Sequence, residues 1–431
     1  MATLESRGES RTTDPDGDVA GHISVAVIRT PEGFDGIRDS WEQILRVAPA
    51  SAFQTFEWQH TWWKYFGGGK SLWIVCVREG QTLVAIAPLF IDHRRIPGLR
   101  PFRHLRFIGA PLSDYVDLIV RPGYEQVCIR TLAEFLKLNA SLWDLLDFES
   151  VSAHSPTLPL IAGSFAAAGV PSYTTESTPS PQVCLSPTWN GILERVGPQT
   201  RYNIRRKFRR LDRLKHEVER FALPTDNIRE AITSFAELHG RRWNSLGYPS
   251  AFDNERHREF HIEIAERFAM RGWLRLYFLR VNDERVAVTF NFNYDNRIYM
   301  YQCNAHGPRD IMRLSPGLLV RCVSIMEGIT EGITLFDFLR GMEPYKIQGW
   351  KSWTAENRFI RCISPNARHR SRIYAAQELV RKGGDRMKQE YHEFIRFALT
   401  RHPSRRMVLR YLAGRAATHL RLGRKYIARN F

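Results

Sequence analysis

A chain of 431 residues is long enough for two domains, and its 43% hydrophobic and 25% charged residues place it among soluble globular proteins, not among disordered or membrane-embedded ones. The six cysteines are scattered, with no Cys-x-x-Cys pair and no zinc-type histidine spacing, which excludes a disulfide framework or a structural metal and fits a reduced, cytoplasmic protein. No apolar run reaches the roughly 18 residues of a membrane-spanning helix, and the net charge of +17 points toward anionic partners.

Residues 1–19 are polar and lack the basic start and apolar centre of a secretion signal, so they read as a disordered tail. Residues 22–28 alternate as an edge strand. Helical spacing covers 34–47 and 56–66, and Gly67-Gly68-Gly69 stops the second helix. Residues 72–78 and 82–91 form a hairpin about Glu79-Gly80-Gln81. Short strands at 104–108 and 115–120 flank Gly109-Ala110-Pro111. A helix at 124–138, a buried strand at 143–148 and a helix at 156–168 follow, then an irregular extended stretch at 173–185. A basic helix at 200–214, with the run Arg201-Tyr202-Asn203-Ile204-Arg205-Arg206, leads into the second half.

There the same order returns: a strand at 215–221, helices at 226–243 and 254–271, and a hairpin of 273–281 with 285–294 about Asn282-Asp283-Glu284. A strand at 297–304, a helix at 318–330, a buried strand at 334–338, a short helix near Tyr345 and a last strand at 358–363 complete it. The repetition is of structure, not of sequence. The implied fold class is α/β with mixed sheets, and the implied divisions are a tail at 1–19, modules at 20–186 and 187–365, and a basic extension at 366–431.

The start of the 318–330 helix is the most informative segment. Ser315 is a helix-capping residue type, and Pro316 suits the first turn, where its missing N–H has no partner to lose. Gly317 lets a ligand approach the backbone. Such a helix start offers free N–H groups and a positive dipole end to a phosphate, which selects Arg313, Ser315, Gly317 and Leu318 as candidate cofactor contacts. An ordinary capped core helix has the same local residues. The extension at 366–431 carries 17 Lys and Arg against 4 Asp and Glu, with breaks at Gly383-Gly384 and Pro403. It reads as appended basic helices whose arginine face suits an anionic membrane surface or RNA.

Several pieces, taken in order, resemble one family. They are Phe53-Gln54-Thr55-Phe56-Glu57-Trp58 with Trp62-Trp63, Ala87-Pro88-Leu89, Asp114-Tyr115-Val116-Asp117, the basic run from Arg201, and Arg241-Arg242-Trp243. Asp310 with Ser315-Pro316-Gly317, and Asp337-Phe338-Leu339-Arg340-Gly341 with Tyr345-Lys346, complete the set. Together they are similar to the GNAT-like acetyltransferases of the CelD (cellulose biosynthesis) type, relatives of the FemAB peptidyltransferases. The resemblance covers roughly residues 50–365. It implies two tandem GNAT-like modules and transfer of an acetyl or other acyl group from acyl-CoA, without a metal, to a small-molecule or saccharide amine or hydroxyl. It suits exopolysaccharide or cell-envelope biosynthesis by a cytoplasmic protein peripheral to the inner membrane. The family's loop before the main helix carries two small residues in a Gln/Arg-x-x-Gly-x-Gly/Ala pattern, whereas Arg313-Leu314-Ser315-Pro316-Gly317-Leu318 has a single glycine. That departure leaves an aminoacyl-tRNA donor, as in FemAB relatives, or a non-catalytic binding shell as alternatives.

Acyl transfer needs a donor group to polarise the carbonyl, a base for the attacking amine or hydroxyl, and an acid for the leaving group. The resemblance puts the carbonyl donor on the main chain of the 297–304 strand. Asp337, in an apolar strand, is the candidate base, or else a structural partner of Arg340. Tyr345 is the candidate acid, or else a core tyrosine. Asp114, Asp117 and Lys346 are candidate substrate contacts, with turn capping and surface placement as their plainer roles. Glu343 and His306 are weaker candidates.

Overall fold

The structure, a computed structural model, describes residues 22–94, 101–347 and 349–367. The expected tail at 1–19 and nearly all of the basic extension lie outside the described residues. The first half runs β1 (Ile23–Ile28), α1 (Pro31–Asp35), α2 (Arg38–Leu45), α3 (Phe56–Phe66), β2 (Ser71–Glu79), β3 (Thr82–Arg94), β4 (Phe102–Phe107), β5 (Ile119–Val120), α4 (Glu125–Leu138), β6 (Leu145–Ser152), α5 (Leu158–Ala167) and β7 (Ser172–Cys184). Helices α6 (Trp189–Arg195) and α7 (Pro198–Leu211) connect it to the second half. That half runs β8 (His216–Phe221), α8 (Ile228–Ser245), α9 (Glu255–Met270), β9 (Leu274–Val281), β10 (Glu284–Tyr294), β11 (Arg297–Ala305), α10 (Arg309–Met312), α11 (Pro316–Thr330), β12 (Leu335–Asp337), α12 (Pro344–Ile347) and β13 (Trp353–Ile363).

Local chemistry accounts for most boundaries. Thr55 caps α3 by accepting from the Trp58 N–H, and Gly67 ends it. Asn282 and Asp283 both take positive φ between β9 and β10, as do Asp295 and Asn296 between β10 and β11; these are the tight turns that match strand twist. Three expectations are corrected. The 34–47 helix breaks at Gly36-Ile37 into α1 and α2. The 115–120 strand shrinks to Ile119–Val120, because Tyr115 is left-handed (φ 51°). The 173–185 stretch is a strand of 13 residues whose ladder with β13 shifts register between Ser177 and Ser180. Pro179 and Pro181 cannot donate to a ladder, yet their carbonyls accept from Gly341 and Phe338, at 3.0 and 2.9 Å.

Among the described residues the strands form one continuous sheet in the order β1-β2-β3-β4-β6-β13-β7-β12-β11-β10-β9-β8, with β5 beside β3. The two modules have exchanged their last strands. β7, from the first half, lies antiparallel to β12, and β13, from the second, lies antiparallel to β6. β13 and β7 also pair with each other along the middle. In each half a short parallel ladder precedes the exchanged strand: 104–106 against 145–147, and 297–299 against 335–337. The halves therefore repeat about the β13–β7 seam.

The core is shared as well. Phe53 and Trp58 of the first half are buried against Phe292 and Tyr301 of the second, with ring centroids 5.5–6.2 Å apart. Packing of this kind makes the halves one cooperative body. No helix among the described residues is long and apolar enough to cross a membrane.

Candidate functional site

The parallel ladder between β11 and β12 ends at Tyr299 and Asp337. Beyond it β11 continues to Ala305 paired with β10 alone, while the other chain turns away through Leu339 (φ 57°) and Gly341 (φ 116°) into α12. The split exposes one edge of β11. Beside it lies a cleft of about 560 Å3, walled by α7, the start of α11, the end of β11 and α12.

Ser315 stands at the head of α11 in the left-handed region (φ 55°, ψ 61°) and its side chain makes no capping bond. This corrects the expected cap. The hydroxyl instead accepts from Lys207 Nζ at 2.7 Å, and the Arg313 carbonyl accepts from the same ammonium at 3.3 Å. A non-glycine residue in this region is strained by roughly 1–2 kcal/mol, so the α7 lysine helps to fix the conformation. Leu318 and Leu319 donate back to the Ser315 carbonyl at 2.8 and 3.3 Å. Pro316 has no N–H, which leaves Gly317 as the first-turn donor facing the cleft. A Cβ at Gly317 would meet Ala305 Cβ at 3.5 Å and Cys303 Sγ at 3.9 Å, ordinary contacts, so the glycine is not demanded by packing.

The electrostatics of the cleft are one-sided. Arg321, on the second turn of α11, is only 5% exposed. Its Nε has no partner, and the guanidinium lies over the Tyr345 ring at 4.6 Å and the Phe338 ring at 5.7 Å. No carboxylate pairs with it among the described residues. Asn304, also 5% exposed, has an Nδ2 without a partner. Arg242 reaches in from α8 and donates to the Ala305 carbonyl at 3.4 Å. Burial lowers the Lys207 pKa, and Arg206 and Arg210 lower it further. Buried cations and amides without partners are costly, and here they line one cleft at a helix start. An anionic ligand would satisfy them.

Of the sequence-predicted contacts, Ser315, Gly317, Leu318 and Tyr345 line this cleft. Tyr345 is 44% exposed; partial desolvation of its phenol raises the pKa, and the nearby Cys303 and Glu343 raise it further. Arg313 is exposed and offers only its carbonyl. Asp337 stands away from the cleft and is 0% exposed. It accepts from Tyr115 Oη (2.9 Å), Gln182 Nε2 (2.7 Å) and the Leu339 N–H (2.8 Å). Asp114 pairs with Arg340 Nε at 2.8 Å and accepts from the Arg340 N–H. Asp117 accepts from the Leu118 N–H and Thr157 Oγ1, and burial pushes it up to about 6. Lys346 is buried, donating to the Arg340 carbonyl at 2.7 Å and pairing with Glu343 at 3.0 Å. These last three brace the loop after β12 and the connection before β5. The His306 N–H donates to the Val286 carbonyl.

Lys207, Arg242, Asn304 and Arg321 were not legible as a group, because four separate elements bring them together. Arg321 did leave a signal: it is the one cation of α11, in first turns that are otherwise apolar.

Residues 198–347, from α7 through α12, match the model of the acetyltransferase (GNAT) domain family. No curated protein matches the chain in sequence. Among solved structures, that of FemX is similar at 12% identity and a TM-score of 0.54, over 78% of this chain and 96% of that one. L-PGS from Bacillus licheniformis is similar at 12% identity and 0.47, over 79% and 96%. A tandem GNAT protein from the clavulanic acid biosynthesis pathway is similar at 12% and 0.43, over 80% and 100%. At such identities the likeness is one of fold. The chain has the GNAT acyltransferase fold, in two modules with exchanged last strands.

Proposed function

We propose that this protein transfers an acyl group from acyl-CoA to an amine or hydroxyl, with the donor's phosphates held at the start of α11. The observation that carries the reading is Arg321: a buried guanidinium without a carboxylate, beside the unpartnered Asn304 amide, in the cleft next to the split of β11 from β12. Lys207, Arg242 and the Gly317 N–H add donors suited to a pyrophosphate. The group fits the residues present. CoA supplies the activated thioester and a thiolate leaving group.

The chain's own contribution follows from position. The unpaired edge of β11 beyond Tyr299 offers main-chain N–H groups where the acyl carbonyl would develop negative charge. Tyr345 is the acid in this reading: its phenol gives a proton to the departing sulfur and regains the one that the attacking amine or hydroxyl releases. Arg321, flat against its ring, restrains the phenol. Asp337 in this reading is a structural carboxylate. The acceptor is a sugar or cell-envelope amine or hydroxyl, and the protein works in the cytoplasm at the inner membrane.

A second reading has its own observation. α7 carries six cations and no acid in 14 residues, which favours an aminoacyl-tRNA donor. A thermal-shift screen of the full chain against acetyl-CoA, longer acyl-CoAs, free CoA and charged tRNA separates the two. A shift with CoA species that is lost in Arg321→Leu supports the proposal; a shift with charged tRNA alone replaces it.

A further inference from the structure

Across α7 from the donor cleft lies a second recess. It encloses about 780 Å3 between α6, α7 and the middle of α11. The floor is apolar, built from Leu193, Ile204, Phe208 and Met326. Along one wall stand Arg201, Arg205 and Arg209, at i, i+4 and i+8 on α7, so their heads are spaced by about 6 Å per step along the axis. Trp189 and Tyr202 sit at the rim, Tyr202 with 53% of its surface exposed.

This face of α7 is electrostatically unbalanced. Like charges four residues apart destabilise a helix, and Arg201/Arg205, Arg205/Arg209 and Arg206/Arg210 are all such pairs. Among the described residues none of the six α7 cations has a carboxylate partner, and Arg201 Nε and Arg206 Nε are buried without any. Other arginines of the protein do have carboxylate partners, as in Arg103–Asp144, Arg285–Glu219 and Arg361–Asp147. Arg201 Nη2 donates to the Glu194 carbonyl at 3.0 Å, but the row has no carboxylate among the described residues, and such a row over an apolar trough calls for a ligand with both an anionic head and an apolar body.

We infer that the recess seats an anionic membrane phospholipid, with its phosphate on the Arg201–Arg205–Arg209 row and an acyl chain over Leu193, Phe208 and Met326. Guanidinium forks match phosphate oxygens two at a time. Leu193, Ile204 and Met326 leave Phe208 as the one ring in the floor, which suits an alkyl chain better than a row of stacked bases. Rim tryptophan and tyrosine are the residues favoured at headgroup level. The inference does not depend on the CoA reading, because the donor cleft uses the other side of α7: Thr200, Asn203 and Lys207.

The test uses the full chain, tail included, with phosphatidylcholine vesicles that contain or lack phosphatidylglycerol, and with a phosphatidylglycerol bearing a photoreactive acyl chain. Binding should require phosphatidylglycerol, and crosslinks should map to residues 189–209 and Met326. Arg205→Glu/Arg209→Glu, both exposed positions, should lower vesicle partitioning by about tenfold or more with an unchanged melting temperature. Crosslinks confined to residues outside the recess, or unchanged partitioning of the double variant, would overturn the inference. So would a double variant that loses binding to a single-stranded RNA oligonucleotide while keeping the vesicles. The crosslink map is read on the unaltered protein, so it stands even if the variant folds poorly.

Discussion

Asp147 and Asp337 occupy equivalent positions in the two modules. Each is the last residue of its parallel ladder, opposite Arg106 and Tyr299 respectively, and each faces the exchanged strand. Asp147 is in register with Arg361 of β13, and Asp337 with Gln182 of β7. The partner decides the charge state. Burial pushes the Asp147 carboxyl up, but two bonds from Arg361 (2.7 and 2.8 Å) and the neighbouring His104 outweigh it and hold it at about 2. Asp337 faces a neutral amide, and burial raises it to about 6 despite the pull of Arg297, the Leu339 N–H and Tyr115.

These two sites should respond differently to neutralisation. Asp147→Asn removes the anionic half of a buried ion pair with Arg361, so it should cost about 3–5 kcal/mol of unfolding free energy. Asp337→Asn keeps a hydrogen-bonding amide in place and gives up only a longer pair, 3.6 Å, with the part-exposed Arg297, so it should cost less, about 1–2 kcal/mol. As a structural group it should leave turnover within a few-fold, whereas Tyr345→Phe should lower turnover by about 100-fold. Urea unfolding and steady-state rates on the three variants check this. A large rate loss in Asp337→Asn at unchanged stability would restore it as the catalytic base.

Acid should destabilise the protein first through its buried histidines. His261 is fully buried between the His257 carbonyl (2.6 Å) and Tyr301 Oη (3.0 Å), and burial depresses it to about 3; His239 is depressed to about 4 and His257 is also lowered. Below about pH 6.5 the unfolded chain takes up protons that the folded chain refuses. Stability therefore falls as pH drops from about 6.5, by up to about 1.4 kcal/mol per pH unit for His261 alone. Asp147 adds a later loss, as pH falls from about 3.9 toward 2. Asp337 and Asp117 act in the opposite sense, since folded pKa values near 6 favour the folded state as pH falls from about 6 to 4. Unfolding midpoints across this range should decline on the acid side, with a shallower slope in His261→Gln. An identical slope in that variant would place the titration elsewhere.

Most of the architecture could be read along the chain, and what could not has physical causes. Period and turn residues located α3 and the β9–β10 hairpin, because those signals are local. β7 was obscured by Pro179 and Pro181, which normally argue against a central strand; here their carbonyls do the pairing and the missing N–H groups face no acceptor in need. The strand exchange has no local signature, since pairing partners across the β13–β7 seam are set by tertiary packing. The site was half legible. Ser315, Gly317, Leu318 and Tyr345 follow from one segment, while Lys207 and Arg242 arrive from helices roughly a hundred residues earlier.

Four substitutions at two positions probe the head of α11. Ser315→Gly removes the left-handed strain and should leave stability unchanged or raise it by about 1 kcal/mol, net of the lost Lys207 contact. Ser315→Val adds a branched side chain to that backbone and should cost more than about 1 kcal/mol. At Gly317, alanine fits at ordinary contact distance and should not destabilise, whereas leucine should weaken CoA binding more than it lowers the melting temperature. Differential scanning calorimetry and CoA titration give both quantities. CoA affinity unchanged in Gly317→Leu would move the phosphate site away from this turn.

The sharpest prediction concerns Arg321, where stability and binding should move in opposite directions. Its guanidinium is buried without a carboxylate partner among the described residues, and its compensation is the Tyr345 and Phe338 rings and a contact to Cys303 Sγ at 3.9 Å. Such cation–π contacts contribute about 0.5–2 kcal/mol, less than the several kcal/mol that desolvating an unpaired charge costs. Arg321→Leu should therefore leave the ligand-free protein as stable as before or more so, by about 1 kcal/mol. The same change removes charge-assisted bonds to phosphate, each worth about 1.5–3 kcal/mol, and CoA affinity should drop by about 10- to 100-fold. Arg313→Ala, an exposed cation outside the cleft, should do little to either quantity. A variant Arg321→Leu that loses stability and keeps its CoA affinity would make the arginine a strut for Tyr345 and not a ligand contact.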